Sequence, residues 1–173
     1  MPDYEVFLTP HRVVDACIRR LPIGINDSVL EPSCGDKAFV RGLRRAGHRG
    51  AITTVDIRSE VNPDWCGDFL AYRPSEKPDW IIGNPPWSTM TNHVRHAINI
   101  SRIGVAMIGP LRLIESEERE GFWKEYMPSA IHAFTKRVSY TGATPKFISA
   151  LFVWDKQSYV PATTFNLIYK DFV

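Results

Sequence analysis

Apolar residues along this chain alternate between two spacings, and the alternation predicts the order of its elements. Val13, Val14, Cys17, Ile18 and Leu21 recur at helical intervals, and Pro22 with Gly24 closes the segment. Thr9 and Pro10 in front of it read as an N-cap and a first helical residue. Residues 28–32 form a short apolar run cut off by Pro-Ser-Cys-Gly, which predicts a buried strand. Ala38, Phe39, Leu43 and Ala46 then give an amphipathic helix over 37–46, with arginines on its other face and Gly47 as its stop. Residues 51–57 are β-rich and carry an acid, Asp56, at their end. Residues 65–69 read as a short edge strand or turn bearing a second acid, Asp68.

The pattern continues with a buried strand at 79–83, a helix at 91–101 and a second buried strand at 103–108. Residues 111–126 are predicted to be helical and charged, with Glu115, Glu117 and Glu118 on the solvent face. Residues 130–141 and 147–154 have β composition and are joined by a turn with Gly142 and Pro145, the signature of an antiparallel hairpin. The tail at 165–169 is a candidate last strand. Strand, glycine-bearing turn, helix and strand make a βαβ unit, so the sheet is mostly parallel and covered by helices on both faces. A ligand then sits beyond the carboxyl ends of the strands, near a helix N-terminus. Asp56 is placed to take two hydroxyls of a ribose there, or is simply a strand-end surface acid.

The candidate chemistry lies in Asp79-Trp80-Ile81-Ile82-Gly83-Asn84-Pro85-Pro86-Trp87. The two prolines remove two backbone donors, so the chain must leave the sheet as a stiff loop. That loop presents an amide (Asn84), backbone carbonyls and an indole (Trp87), a set suited to holding a flat amine while stacking on it. The plainer alternative is an Asn-Pro turn anchored by its Trp. His93 and His96 follow on a helix, either solvated or within reach of a phosphate.

Composition narrows the class. With 173 residues, 44% hydrophobic and 23% charged, the chain is expected to be one soluble domain over 1–173. A formal charge of +2 means that any nucleic-acid binding comes from local patches, such as Arg12, Arg19 and Arg20 or Arg41, Arg44, Arg45 and Arg49. Either cluster also fits a solvated helix face. Three cysteines without metal-ligand spacing point to no disulfide framework and no metal, and fit a reducing cytoplasm. Cys34 has no basic partner nearby in sequence and reads as a buried filler. No signal peptide or membrane-length apolar run is expected.

With these motifs in order, the chain resembles the class I, S-adenosylmethionine-dependent methyltransferases, in particular the amino-methyltransferases of adenine N6. Phe7-Leu8-Thr9-Pro10 with Val13-Val14 resembles their N-terminal cofactor motif, and Glu31-Pro32-Ser33-Cys34-Gly35-Asp36-Lys37-Ala38-Phe39 their first-strand loop. Asn84-Pro85-Pro86-Trp87 resembles their catalytic tetrapeptide. The closing half, with 136–140 and 152–156, is similar to small phage- and prophage-associated members. The resemblance implies an α/β, Rossmann-like, doubly wound, mostly parallel seven-stranded sheet ending in an antiparallel hairpin. It implies S-adenosylmethionine as cofactor, with Thr9 and Pro10 at its methionine end, Glu31, Pro32 and Gly35 in the loop, Asp56 and Ile57 at the ribose, Asp68 and Phe69 at the adenine, and Asn84 also in contact with it. It assigns Asn84, Pro85, Pro86 and Trp87 to catalysis, with Trp87 and either Tyr140 or Phe147 flanking the substrate base. Two departures stand out: Lys37 where a second glycine is usual, expected to crowd the cofactor, and Trp87 where Tyr or Phe is commoner.

The expected reaction is methyl transfer to adenine N6 in DNA. Methylation of RNA adenine, methylation of a protein glutamine and a degenerate, non-catalytic nucleic-acid-binding subunit are the alternatives. No separate target-recognition domain is evident, so selectivity is expected to be slight unless a partner subunit supplies it.

Overall fold

The structure is a computed structural model and describes residues 6–115, 117–140, 147–158 and 163–169. Its strands are β1 (Val29–Pro32), β2 (Ile52–Asp56), β3 (Trp65–Cys66), β4 (Trp80–Gly83), β5 (Gly104–Pro110), β6 (Ala130–Phe134), β7 (Ser149–Asp155) and β8 (Thr164–Ile168). Its helices are α1 (His11–Ile18), α2 (Ala38–Arg45), α3 (Met90–Ile100) and α4 (Glu120–Glu125). All the strands join one sheet in the order β3-β2-β1-β4-β5-β7-β6-β8. β1 pairs in parallel with β2 and β4, and β4 with β5. β7 runs antiparallel to both β5 and β6, while β8 returns parallel to β6.

The period of two along the central strands explains the two helical layers. Val29, Trp80, Ile82, Ala106 and Ile108 face α1 and α2, meeting Val13, Val14, Cys17, Phe39 and Leu43. Leu30, Ile81, Val105 and Met107 face the other way, onto Met90, Val94 and Ala97 of α3. Every residue of β1, β4 and β5 is buried, which is why these strands read as near-continuous apolar runs, interrupted in β1 by Glu31. The amino ends of β1, β4 and β5 are tied by Asp79. It accepts from Ser28 N at 2.9 Å, from Ser28 Oγ at 3.0 Å and from Arg102 Nε at 2.6 Å.

The mostly parallel sheet with one reversed strand agrees with the sequence, but several expectations need correction. Eight strands are present among the described residues, one more than the seven expected, because the candidate strands at 65–69 and 165–169 both form, as β3 and β8. The expected strand at 130–141 stops at Phe134, where Thr135 N turns to Ile168 O at 2.9 Å. The expected turn at Gly142 and Pro145 lies outside the described residues. The helix expected over 111–126 is instead two 3-10 turns, Leu111–Glu115 and Glu117–Arg119, followed by α4. Glutamates at i, i+3 repel along this stretch, and Trp123 Nε1 fixes the bend by donating to Leu113 O at 3.0 Å. Thr9 does not cap α1: Pro10 occupies the cap position, without a side-chain bond. His93 and His96 are not solvated surface residues. His93 is buried on Phe69 and donates to Thr89 O at 3.1 Å, and His96 donates to Tyr72 O at 3.0 Å.

Candidate active site

The strand order reverses between β1 and β4, so the loops that follow these two strands diverge and leave a crevice. A cavity fills it, walled by the segment Val6–Thr9, by Glu31 and the 33–39 turn, by Asp56, Ile57 and Arg58, and by Asn84 and Pro86. The two loops approach closely at Gly83, where an added Cβ would lie 3.1 Å from Pro32 O. This contact gives Pro32 its place as a support beneath the crevice.

The turn after β1 is shaped by left-handed backbone at alternate residues: Ser33 (φ 51°), Gly35 (φ 51°) and Lys37 (φ 59°). It leaves Gly35 N pointing at Asp56 Oδ2, 2.8 Å away. Lys37 takes the backbone conformation that favours glycine, but its side chain is turned away from the cavity and donates to Asn62 O at 2.6 Å. Lys37 is accordingly not among the residues that wall the cavity. Glu31 is 3% exposed and reaches from β1 to the start of α2, accepting from Phe39 N at 3.2 Å and Val40 N at 3.0 Å. These are two of the helix's orphan donors. Burial pushes the Glu31 carboxyl up to about 8 against the pull of those N–H groups. Burial likewise pushes the Cys34 thiol up to about 12, which makes it inert as a nucleophile at neutral pH.

Asp56, 3% exposed, ends β2. Besides Gly35 N, it accepts from Arg58 N and Nε, both at 3.0 Å, and from Arg58 Nη2 at 3.1 Å. Burial raises its carboxyl, but the Arg58 guanidinium and the backbone N–H groups outweigh this and hold it below the ordinary carboxylate range. Arg58 was not anticipated; its place two residues after a strand-end acid is the only signal in the sequence.

On the far wall, Asn84 Nδ2 donates to Phe7 O at 3.2 Å and to Thr9 Oγ1 at 3.1 Å. Its Oδ1 accepts from Trp87 Nε1 at 2.9 Å. Phe7 stacks on the Trp87 ring with centroids 4.5 Å apart, and Tyr140 meets that ring edge-on at 5.4 Å. Pro86 O accepts from Thr89 N at 3.2 Å, whereas among the described residues the Pro85 carbonyl accepts no hydrogen bond. Phe7 was expected in a cofactor motif, but its carbonyl and ring instead hold Asn84 and Trp87, a role the sequence did not signal.

Some expected residues lie elsewhere. Tyr140 is 1% exposed and bonded to Ser149 Oγ at 2.9 Å, so it braces Trp87 from within the core and offers no open wall. Phe147 is exposed, carries the Arg112 guanidinium 4.0 Å over its ring, and stays out of the cluster around Trp87. Asp68 is exposed and caps the Phe69–Ala71 turn by accepting from Leu70 N at 2.9 Å. The Phe69 side chain is core, packed with His93 and His96. Neither lines the cavity, and Pro10 lies outside it at the start of α1.

No protein-family model matches the chain. It is 35% identical over 81 residues to the type II methyltransferase M.TthHB8I of Thermus thermophilus, spanning 43% of this chain and 19% of that protein. It is 31% identical over 103 residues to the type II methyltransferase M.CvrRI of a Paramecium bursaria Chlorella virus, spanning 54% of this chain and 27% of that protein. The chain thus spans less than a third of the length of these curated relatives. Among solved structures, a modification subunit assigned to a type I restriction enzyme of Vibrio vulnificus superposes with a TM-score of 0.72 at 15% identity, over 96% of this chain and 48% of the other. A protein assigned to the class I S-adenosylmethionine-dependent methyltransferases, from Listeria monocytogenes, gives 0.69 at 13% identity, over 94% and 65%. The fold of this chain is that of the class I, S-adenosylmethionine-dependent methyltransferases.

Proposed function

We propose that the chain transfers the methyl group of S-adenosylmethionine to the N6 amino group of adenine in DNA, with residues 1–173 acting as one methyltransferase domain. The observation that carries this assignment is the Asn84 amide. It stands at the cavity rim on a bend stiffened by two prolines, with both N–H groups bonded and its oxygen retaining a second lone pair. Likeness to type II methyltransferases and to a restriction-enzyme modification subunit favours DNA over RNA.

The residues around the cavity suit that cofactor. Asp56 supplies a carboxylate for vicinal hydroxyls, Ile57 an apolar side chain at the cavity edge, and Glu31 a buried acid, held neutral by burial, that a bound cation would draw back to its charged form. Bound S-adenosylmethionine supplies an electrophilic methyl on a sulfonium. An adenine amino group is a poor nucleophile because its lone pair is delocalised into the ring. Asn84 Oδ1 and the Pro85 carbonyl accept its two N–H bonds, which favours a pyramidal nitrogen and gathers the lone pair toward the methyl. Acceptors fixed in advance contribute about 3 kcal/mol each to the transition state. No base is required before attack, since the proton becomes acidic only after transfer. Trp87, backed by Phe7, stacks on the extracted base for roughly 1–3 kcal/mol. In duplex DNA the base is flipped out first.

Among the described residues no helix is long and apolar enough to cross a membrane. Three free cysteines, two of them buried, suit a cytoplasmic place of action. Selectivity for a DNA sequence is assigned to a partner subunit, in keeping with the likeness to a restriction-enzyme modification subunit. Radiolabelled methyl transfer to DNA, RNA and protein in parallel tests the assignment. Label on N6 of DNA adenine is expected, and label confined to RNA or protein would overturn it.

A further inference from the structure

We infer that the Phe7 carbonyl and the indole N–H of Trp87 set the Asn84 amide in the one orientation that offers its oxygen to the target amine, and that the Thr9 hydroxyl is a positioning group that holds the second amide N–H in place. This inference rests on the methyl-transfer reading above. An asparagine amide is nearly symmetric in shape, and a flip about its last bond exchanges an acceptor for a donor. Here the surroundings forbid the flip. The Phe7 carbonyl can only accept and the Trp87 indole can only donate. A flipped amide would set its oxygen against the Phe7 carbonyl and its NH2 against the indole N–H. The Thr9 hydroxyl takes the remaining amide N–H at 3.1 Å, so both Nδ2 hydrogens are held.

Local structure supports this role for both residues. Thr9 is 7% exposed, and its hydroxyl is released for the task because α1 begins without a side-chain cap. Trp87 is braced by Phe7 at 4.5 Å and by Tyr140 edge-on at 5.4 Å, which fixes the direction of its N–H. Phenylalanine would stack as well but has no donor, and a tyrosine hydroxyl both donates and accepts. The indole therefore pins the oxygen and not the nitrogen, which gives a physical reason for Trp at this position. The clamp also selects Asn over Asp at 84, since a carboxylate would face the Phe7 carbonyl. The second lone pair of Oδ1 stays open for substrate.

The test is a set of three variants, Thr9→Val, Thr9→Ser and Trp87→Phe, read by kcat, by KM for DNA, by cofactor affinity and by NMR of the Asn84 side-chain NH2. Thr9→Val and Trp87→Phe are expected to lower kcat by about 10- to 100-fold, the scale of misplacing a reacting group. In Thr9→Val, KM for DNA should stay within about twofold and cofactor affinity should fall much less than kcat, and Thr9→Ser should restore kcat. Solvent exchange of the Asn84 NH2 should quicken in Thr9→Val and return to wild type in Thr9→Ser. A Thr9→Val enzyme with wild-type kcat, or with cofactor affinity falling in step with kcat, would overturn the clamp. So would an Asn84 NH2 signal unchanged in every variant. Absence of methyl transfer by the wild-type chain would instead refute the reaction assigned above, and the NH2 signal separates the two failures.

Discussion

Asp56 holds four N–H donors on two oxygens, one from Gly35 and three from Arg58. A carboxylate has about four lone-pair sites, so a ligand's hydroxyls must displace a donor. The backbone N–H groups are fixed by the turn, which leaves the Arg58 guanidinium as the group that withdraws. Asp56→Ala should therefore raise the cofactor dissociation constant roughly tenfold or more, the loss of a charge-assisted bond. Arg58→Ala should lower it by about threefold, because the competitor is gone; calorimetry reads both, and weaker binding by Arg58→Ala would refute the displacement. At this scale the sequence was informative where backbone chemistry decides the outcome. Asp56 ends a β-rich stretch and Asn84 an apolar run stopped by turn residues, and both prove to line the same cavity. Arg58 was not legible, because its place depends on a side-chain rotamer; Phe7 was legible as part of a motif, but not its hold on Asn84, which rests on a contact across 77 residues.

Among the elements, α2 depends on an acid outside itself. Lys37 at its N-cap makes no side-chain cap bond, so the first turn is satisfied by Glu31 from β1. Burial raises the Glu31 carboxyl from 4.5 to about 8, so the folded chain favours its neutral form. The stability this group contributes is full below its unfolded value and is lost as pH rises through about 8. Melting temperature should thus fall across that window in the cofactor-free protein, and Glu31→Gln should flatten the profile; an unchanged slope would remove Glu31 as its source. The helix itself was plain from its periodicity, but its cap was not, because the capping residue lies eight and nine positions upstream of the donors it serves. The stretch after β5 misled for a different reason. Only Leu113 and Phe122 are buried across its three short helical segments, and this is too little to hold one long helix against a row of glutamates.

In the whole molecule, the reversal of strand order at β1 and β4 brings together the two loops that carry the chemistry. The alternation of strands and helices dictates this crevice, and so its place was readable before any coordinates. The last strand was readable only as a candidate, since only Ile168 of β8 is fully buried and the rest shows no clean alternation. The crevice holds a carboxylate wall on one side and the clamped amide on the other, which separates cofactor binding from catalysis in space. The most direct measurement of the central claim is Asn84→Ala, assayed for methyl transfer to DNA and, separately, for cofactor affinity. Turnover is expected to fall at least about 100-fold while cofactor affinity stays near that of the wild type. Transfer at the wild-type rate by the variant would contradict the account, because the amine would then be held by something other than the Asn84 oxygen.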